Sequence, residues 1–180
     1  ALADAGTVAE TQALFDEVLT AAQEIASERR RGEALTGIAQ ALVDAGTVAE
    51  TRTLFEDLLT AVQSIEDADD RKEALTAIAQ ALADAGAFSE TRALFEDLLT
   101  AARSIASGPS RVEALTAIAQ ALADAGAHEH VRNVLSEALT AAQGIESEFF
   151  SASALTGIAQ ALADAGPVAE TQALFDEVLT

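Results

Sequence analysis

Apolar residues in this chain fall in i, i+3, i+4 steps, and the whole pattern returns every 40 residues. Residues 67–105 are the clearest unit. Ala74, Leu75, Ile78, Ala79, Leu82 and Ala85 make one helical stripe, which predicts a helix A from Asp67 to about Ala85. Leu94, Phe95, Leu98, Leu99, Ala102 and Ile105 make a second stripe, which predicts a helix B from about Phe88 to Ile105. Gly86 between them is placed to end helix A in the left-handed conformation. Asp67 recurs as Ser27, Ser107 and Ser147, all N-cap residue types. Helix B opens in two copies with the capping-box pattern Thr7 to Glu10 and Thr47 to Glu50, and in another with Pro167, which is tolerated near a helix start. No segment alternates with the period of a strand, so the pattern predicts an all-α chain.

Gly6, Gly46, Gly86, Gly126 and Gly166 each close a copy of A-L-x-D-A-G, and four copies carry A-L-T-[GA]-I-A-Q before it. A fixed period of this length means one supersecondary unit stacked on itself, because a lone pair of amphipathic helices cannot bury both stripes. The expectation is a single αα-hairpin solenoid over 1–180 with about four and a half repeats: 1–26, 27–66, 67–106, 107–146 and 147–180. Helix A carries few charges and helix B most of the acids, among them Glu56, Asp57, Glu96 and Asp97. Helix A is therefore expected on a more enclosed face.

The unit resembles a tetratricopeptide repeat with a lengthened second helix. Leu75, Ile78, Ala79 and Leu82 fall where that family has its large-large-small-large set, Gly86 on its turn glycine and Phe95 on its helix-B aromatic. The chain departs from the family in its 40-residue period, in Thr91 at a usual alanine position, and in lacking the closing proline; HEAT-like repeats stay open as the alternative. The resemblance implies a right-handed superhelix whose helix-A groove binds proteins or peptides. It places Glu73, Thr76, Gln80, Ala83 and Asp84 in that groove, with their equivalents Glu33, Thr36, Gln40 and Asp44, then Glu113, Thr116, Gln120 and Asp124, then Thr156, Gln160 and Asp164. Stacked glutamines would serve the backbone of an extended peptide, and the acids would favour one carrying Lys or Arg. The lysine and asparagine clamp by which some members hold a C-terminal carboxylate is absent. The competing reading is a solvated polar face copied along with the repeat.

Composition then narrows the partners. Thirty acidic and ten basic residues leave a formal charge of −20, and Lys72 is the only lysine. A field this negative argues against nucleic acid and anionic membrane. It reads either as solubility or adaptation to high salt, or as steering of a basic partner. No apolar run approaches the roughly 18 residues of a membrane span. With no cysteine and no visible signal peptide the compartment is not read, and a cytoplasmic setting is the default expectation. The absence of methionine suggests an excised, processed or engineered segment.

Catalytic chemistry has little to use: no Cys or Tyr, one Lys, and Ser and Thr without an orienting base. No enzyme and no cofactor are expected. His128 and His130, two apart on a helix, point to different sides and make a poor metal pair. Glu66, Asp67, Asp69 and Asp70 cluster in a turn but lack the features of a calcium loop, so capping is the expected role. Phe149 and Phe150 replace polar pairs at an inter-repeat turn, and either form a contact patch or fold back on the adjacent helix.

Residues 161–180 repeat residues 1–20 with one change, Thr7 against Pro167. Leu14, Val18 and Leu19 at one end, and Leu174, Val178 and Leu179 at the other, would lack part of their cover. Head-to-tail stacking of copies into fibres is the second functional expectation; a cropped piece of a larger array is the alternative.

Overall fold

Alanine, leucine and glutamate dominate the periodic segments, and these straight-chain residues lose little freedom in a helix. The computed structural model describes residues 2–45, 48–85 and 88–165, with side chains over 12–44, 52–85 and 88–165. Eight helices and no strand occur among the described residues. The A helices are α2 (Glu28–Ala45), α4 (Ala68–Asp84), α6 (Gly108–Asp124) and α8 (Glu148–Asp164). The B helices are α1 (Leu2–Gln23), α3 (Val48–Gln63), α5 (Phe88–Arg103) and α7 (His128–Gln143).

Local chemistry sets the ends of the A helices. Asp67 accepts the N–H groups of Asp69 and Asp70, both at 2.9 Å, and so caps α4. Ser107 accepts from the Ser110 N–H at 3.4 Å, ahead of an N-terminal turn containing Pro109. Ser147 stands at the N-cap of α8 without a side-chain bond, and the Ser27 carbonyl accepts the Arg31 N–H at 2.8 Å. After α6, Gly126 takes φ +78°, the Gly126 N–H donates to the Ala123 carbonyl at 2.9 Å, and the Ala127 N–H donates to Leu122 at 2.8 Å. That pair of bonds is a Schellman motif, and the left-handed residue at its centre is why glycine stands there. Gly46, Gly86 and Gly166 lie outside the described residues.

Three expectations change. Gly6 and Thr7 lie inside the continuous helix α1 instead of forming a turn and a cap. Carrying the helix through glycine costs only about 1 kcal/mol. Helix α5 ends at Arg103, so Ile105 packs from the following loop; its N–H bonds the Ala102 carbonyl at 3.1 Å and its side chain is buried. Leu19 is buried rather than exposed, whereas Leu14 and Val18 stay open.

Packing follows the order of an α-solenoid. The A helices stack side by side, α2 on α4, α4 on α6 and α6 on α8, while α1, α3 and α5 form a second row. Helices α3, α5 and α7 each also pack on the A helix before and the A helix after, and α1 packs on α2. Leu75, Ile78, Ala79 and Leu82 of α4 and Leu94, Phe95, Leu98 and Leu99 of α5 are buried in the shared core. Thr91 is buried as well, its hydroxyl donating to the Phe88 carbonyl at 3.4 Å. The outer face of the B helices carries exposed ion pairs, Arg52 with Glu56 at 2.9 Å and Arg92 with Glu96 at 3.1 Å. Such pairs contribute roughly 0.3–0.5 kcal/mol each, so burial of the stripes holds the array together.

Candidate functional site

Along the A helices each repeat sets a residue beside the one that follows its equivalent in the next, 41 positions on. The methyl group of Thr116 lies 4.0 Å from where a Cβ on Gly157 would stand, so the threonine of one repeat faces the small residue of the next. Thr36 and Ala77 line a common depression in the same way. Small residues stand at positions 37, 77, 117 and 157 of the A row, and an open depression lies beside Ala77, between α2 and α4.

Most polar groups along this row are already engaged. Gln40 donates to Asp44 at 3.2 Å and Gln80 to Asp84 at 3.0 Å, each within one helix. These amides keep a free carbonyl and a second N–H but are oriented by the carboxylate. The Thr116 hydroxyl is buried and donates to the Val112 carbonyl at 2.8 Å; the Thr156 hydroxyl is exposed and donates to Ala152 at 2.9 Å. Thr76 and Gln120 are half-buried, while Asp124, Gln160 and Asp164 are exposed. Asp44, Asp84, Asp124 and Asp164 close the last turns of α2, α4, α6 and α8, where no basic residue stands. Carboxylates at that end oppose the helix dipole, so this edge of the array is strongly negative.

The N-terminal turns of the A helices carry polar ties between repeats. Lys72 Nζ reaches Glu113 at 2.8 Å and Asp69 at 3.4 Å, and the Ser110 hydroxyl donates to Asp69 at 3.0 Å. Ser110 and the Lys72 ammonium together hold Asp69 below the usual carboxylate range. Burial works to lower Lys72, but Glu113 and Asp69 outweigh it and the ammonium is held above its ordinary value. One repeat earlier the Asp67 N–H donates to Glu28 at 2.7 Å. The acidic turn thus serves capping and repeat-to-repeat bonding, and no group of ligand residues for a metal occurs among the described residues.

Between α2 and α4 a cavity of about 300 Å³ opens on the A face. It brings together Glu33, Thr36 and Glu73 of the expected groove, over a floor of Gly32, Ala74 and Ala77, with Arg29 and Asp70 at its rim. Arg29 is bonded to Glu33 at 3.2 Å. Partial burial and the nearby Asp67 and Glu73 push the Asp70 carboxyl up.

Phe149 and Phe150 lie in the first turn of α8, 78% and 47% exposed, with their rings edge to face at 5.4 Å. His130 packs on Phe88 at 4.9 Å, joining α7 to α5, while His128 faces solvent. No helix among the described residues is long and apolar enough to cross a membrane.

One recurrent group escaped the sequence reading. Arg71 Nε donates to the Ile65 carbonyl at 2.7 Å, and Arg111 donates to the Ile105 carbonyl at 3.2 Å. Each arginine closes the loop that precedes its own helix. The equivalent Arg31 turns instead to Glu28 at 3.5 Å and leaves its buried Nε without a partner, and Ser151 replaces it in α8. The 40-residue recurrence of arginine was the available signal.

No family model matches this chain, and no curated protein matches it. Among solved structures, the crystal structure of Ton1535 from Thermococcus onnurineus NA1 is similar in fold, with a TM-score of 0.51 at 22% identity. The match covers 88% of this chain and 47% of the other, so the chain spans about half the length of that protein.

Proposed function

We propose that this chain is a non-catalytic, tetratricopeptide-like scaffold whose A-helix face holds a neutral or basic extended segment of a protein or peptide. The supporting observation is the open depression between α2 and α4, lined by Glu33, Thr36 and Glu73, with the carboxylate-oriented amides of Gln40 and Gln80 on the same two helices. The buried Leu75, Ile78, Ala79, Leu82 and Phe95 and the Gly126 turn support the tetratricopeptide-like reading of the repeat. A net charge of −20 favours a basic segment over an acidic one. The test is titration with extended peptides of differing charge, read at the backbone amides of α2, α4, α6 and α8. Basic peptides should bind best, and replacing Gln80 and Gln120 by Ala should weaken binding about tenfold, the loss of one or two net hydrogen bonds. Unchanged affinity in the double variant sinks this reading.

A second reading, self-assembly of copies end to end, is favoured by one observation. Leu14 and Val18 of α1 are 63% and 51% exposed, whereas their equivalents Leu54 and Leu58 in α3, and Leu94 and Leu98 in α5, are buried.

A further inference from the structure

The repeat carries its own demonstration of what the α2–α4 cavity can hold. One period on, between α4 and α6, the position of Gly32 is filled by Lys72, and its ammonium sits on Glu113, the equivalent of Glu73, at 2.8 Å. That lysine is mostly shielded from solvent and has a second carboxylate, Asp69, at 3.4 Å. Between α2 and α4 the glycine leaves the same space empty of side chain. A Cβ on Gly32 would meet its neighbours at no less than 3.6 Å, so the space accepts atoms without strain. The carboxylates are conserved in number although not in place. Asp70 stands where α6 has Ser110, and Arg29 stands where α4 has Asp69, with Glu33 bonded to Arg29 at 3.2 Å. Glu73 and Asp70 remain as two carboxylates without a lysine between them, with the Arg29 charge near enough to offset part of that on Asp70. A volume of about 300 Å³ leaves room for one long side chain.

We propose that the cavity between α2 and α4 is a pocket for a lysine side chain of the bound segment, its ammonium on Glu73 and Asp70 and its methylene stem along Thr36 and Ala77. The proposal rests on the A-helix face being the binding surface, and it names the residue that this face selects. Glycine at position 32 opens the pocket, and Lys72 shows the filled state within the same chain.

The probes are acetyl-Ala-Ala-Lys-Ala-Ala-amide and the same peptide with norleucine in place of lysine, titrated into the 180-residue chain. The amides of Gly32, Thr36 and Ala77 should shift with the lysine peptide, which should bind at least about fivefold tighter than the norleucine peptide. Glu73→Gln, at an exposed position that does not carry the fold, should remove that preference. Gly32→Lys should also abolish it by filling the pocket from within. Equal affinity for the two peptides, or an undiminished preference in Glu73→Gln, overturns the lysine pocket. If both peptides shift α4 and α6 equally, the pocket fails and the groove stands. If no A-helix amide responds to either peptide, both fail.

Discussion

Folding changes the chemistry of Asp69. Ser110, near it because α4 packs on α6, and Lys72, one turn further along α4 itself, hold its carboxyl below the ordinary range. A depressed carboxyl adds stability that is present above its unfolded value, about 4, and is lost as pH falls through the lower folded value. Ser110→Ala removes the first contributor, so the Asp69 carboxyl should titrate at higher pH, nearer the ordinary carboxylate value. A titration followed by carboxyl NMR checks this, and an unmoved Asp69 curve in the variant discards the account. Asp70 next to it runs the other way: partial burial and neighbouring acids raise it, so it disfavours the folded chain at neutral pH and that cost eases as the solution is acidified. The capping role of Asp67 was legible from residue type and spacing. The bonds of Asp69 to Ser110 and of Lys72 to Glu113 were not, since each joins residues 41 apart in the chain.

At the scale of the element, the hairpin is held by an apolar interior and locked at its loops. The interior of α4 and α5 matches the two stripes read from the sequence, because helical periodicity and burial are the same pattern. Helix B was read too long because Ile105 continues the stripe in sequence while leaving the helix in space. The arginine that closes the loop is part of what lets Ile65 and Ile105 pack from outside the helix. Arg71→Ala leaves the Ile65 carbonyl without its part-buried, charge-assisted donor and should lower stability by about 1–2 kcal/mol. Urea denaturation followed by far-ultraviolet circular dichroism measures it. Ser151→Ala, which removes no such bond, is the control, and a loss no larger than the control's rejects the clamp.

For the whole molecule, two forces oppose one another when copies meet. The open stripe of Leu14 and Val18 favours association, and a charge of −20 on each copy resists it. Salt shortens the reach of that repulsion from about 10 Å at 0.1 M to about 3 Å at 1 M. If end-to-end contact operates, mass from light scattering coupled to size exclusion should climb with concentration in 1 M salt and less so at 0.1 M. Leu14→Ser with Val18→Ser should hold the mass constant. Refractive index must serve as the concentration signal, because the chain has no Trp or Tyr. A constant monomer mass across a hundredfold concentration range in 1 M salt retires assembly and leaves the A face as the binding surface.

The sequence alone determined the helices, their pairing and the repeated array, because those follow from apolar periodicity and a 40-residue recurrence, both local properties of the chain. It also indicated which face of helix A could be polar. Only the tertiary structure decided which of those polar groups are free. Gln40 and Gln80 turn to their own aspartates, Thr116 to its own helix, and Glu113 to Lys72 of the previous repeat, whereas Glu73 faces an open cavity above Gly32. The reason is physical: a repeat copies residue types, but the occupancy of a site depends on what the neighbouring copy extends into it. Glycine at 32 and lysine at 72 occupy the same place in the period and leave opposite surfaces behind.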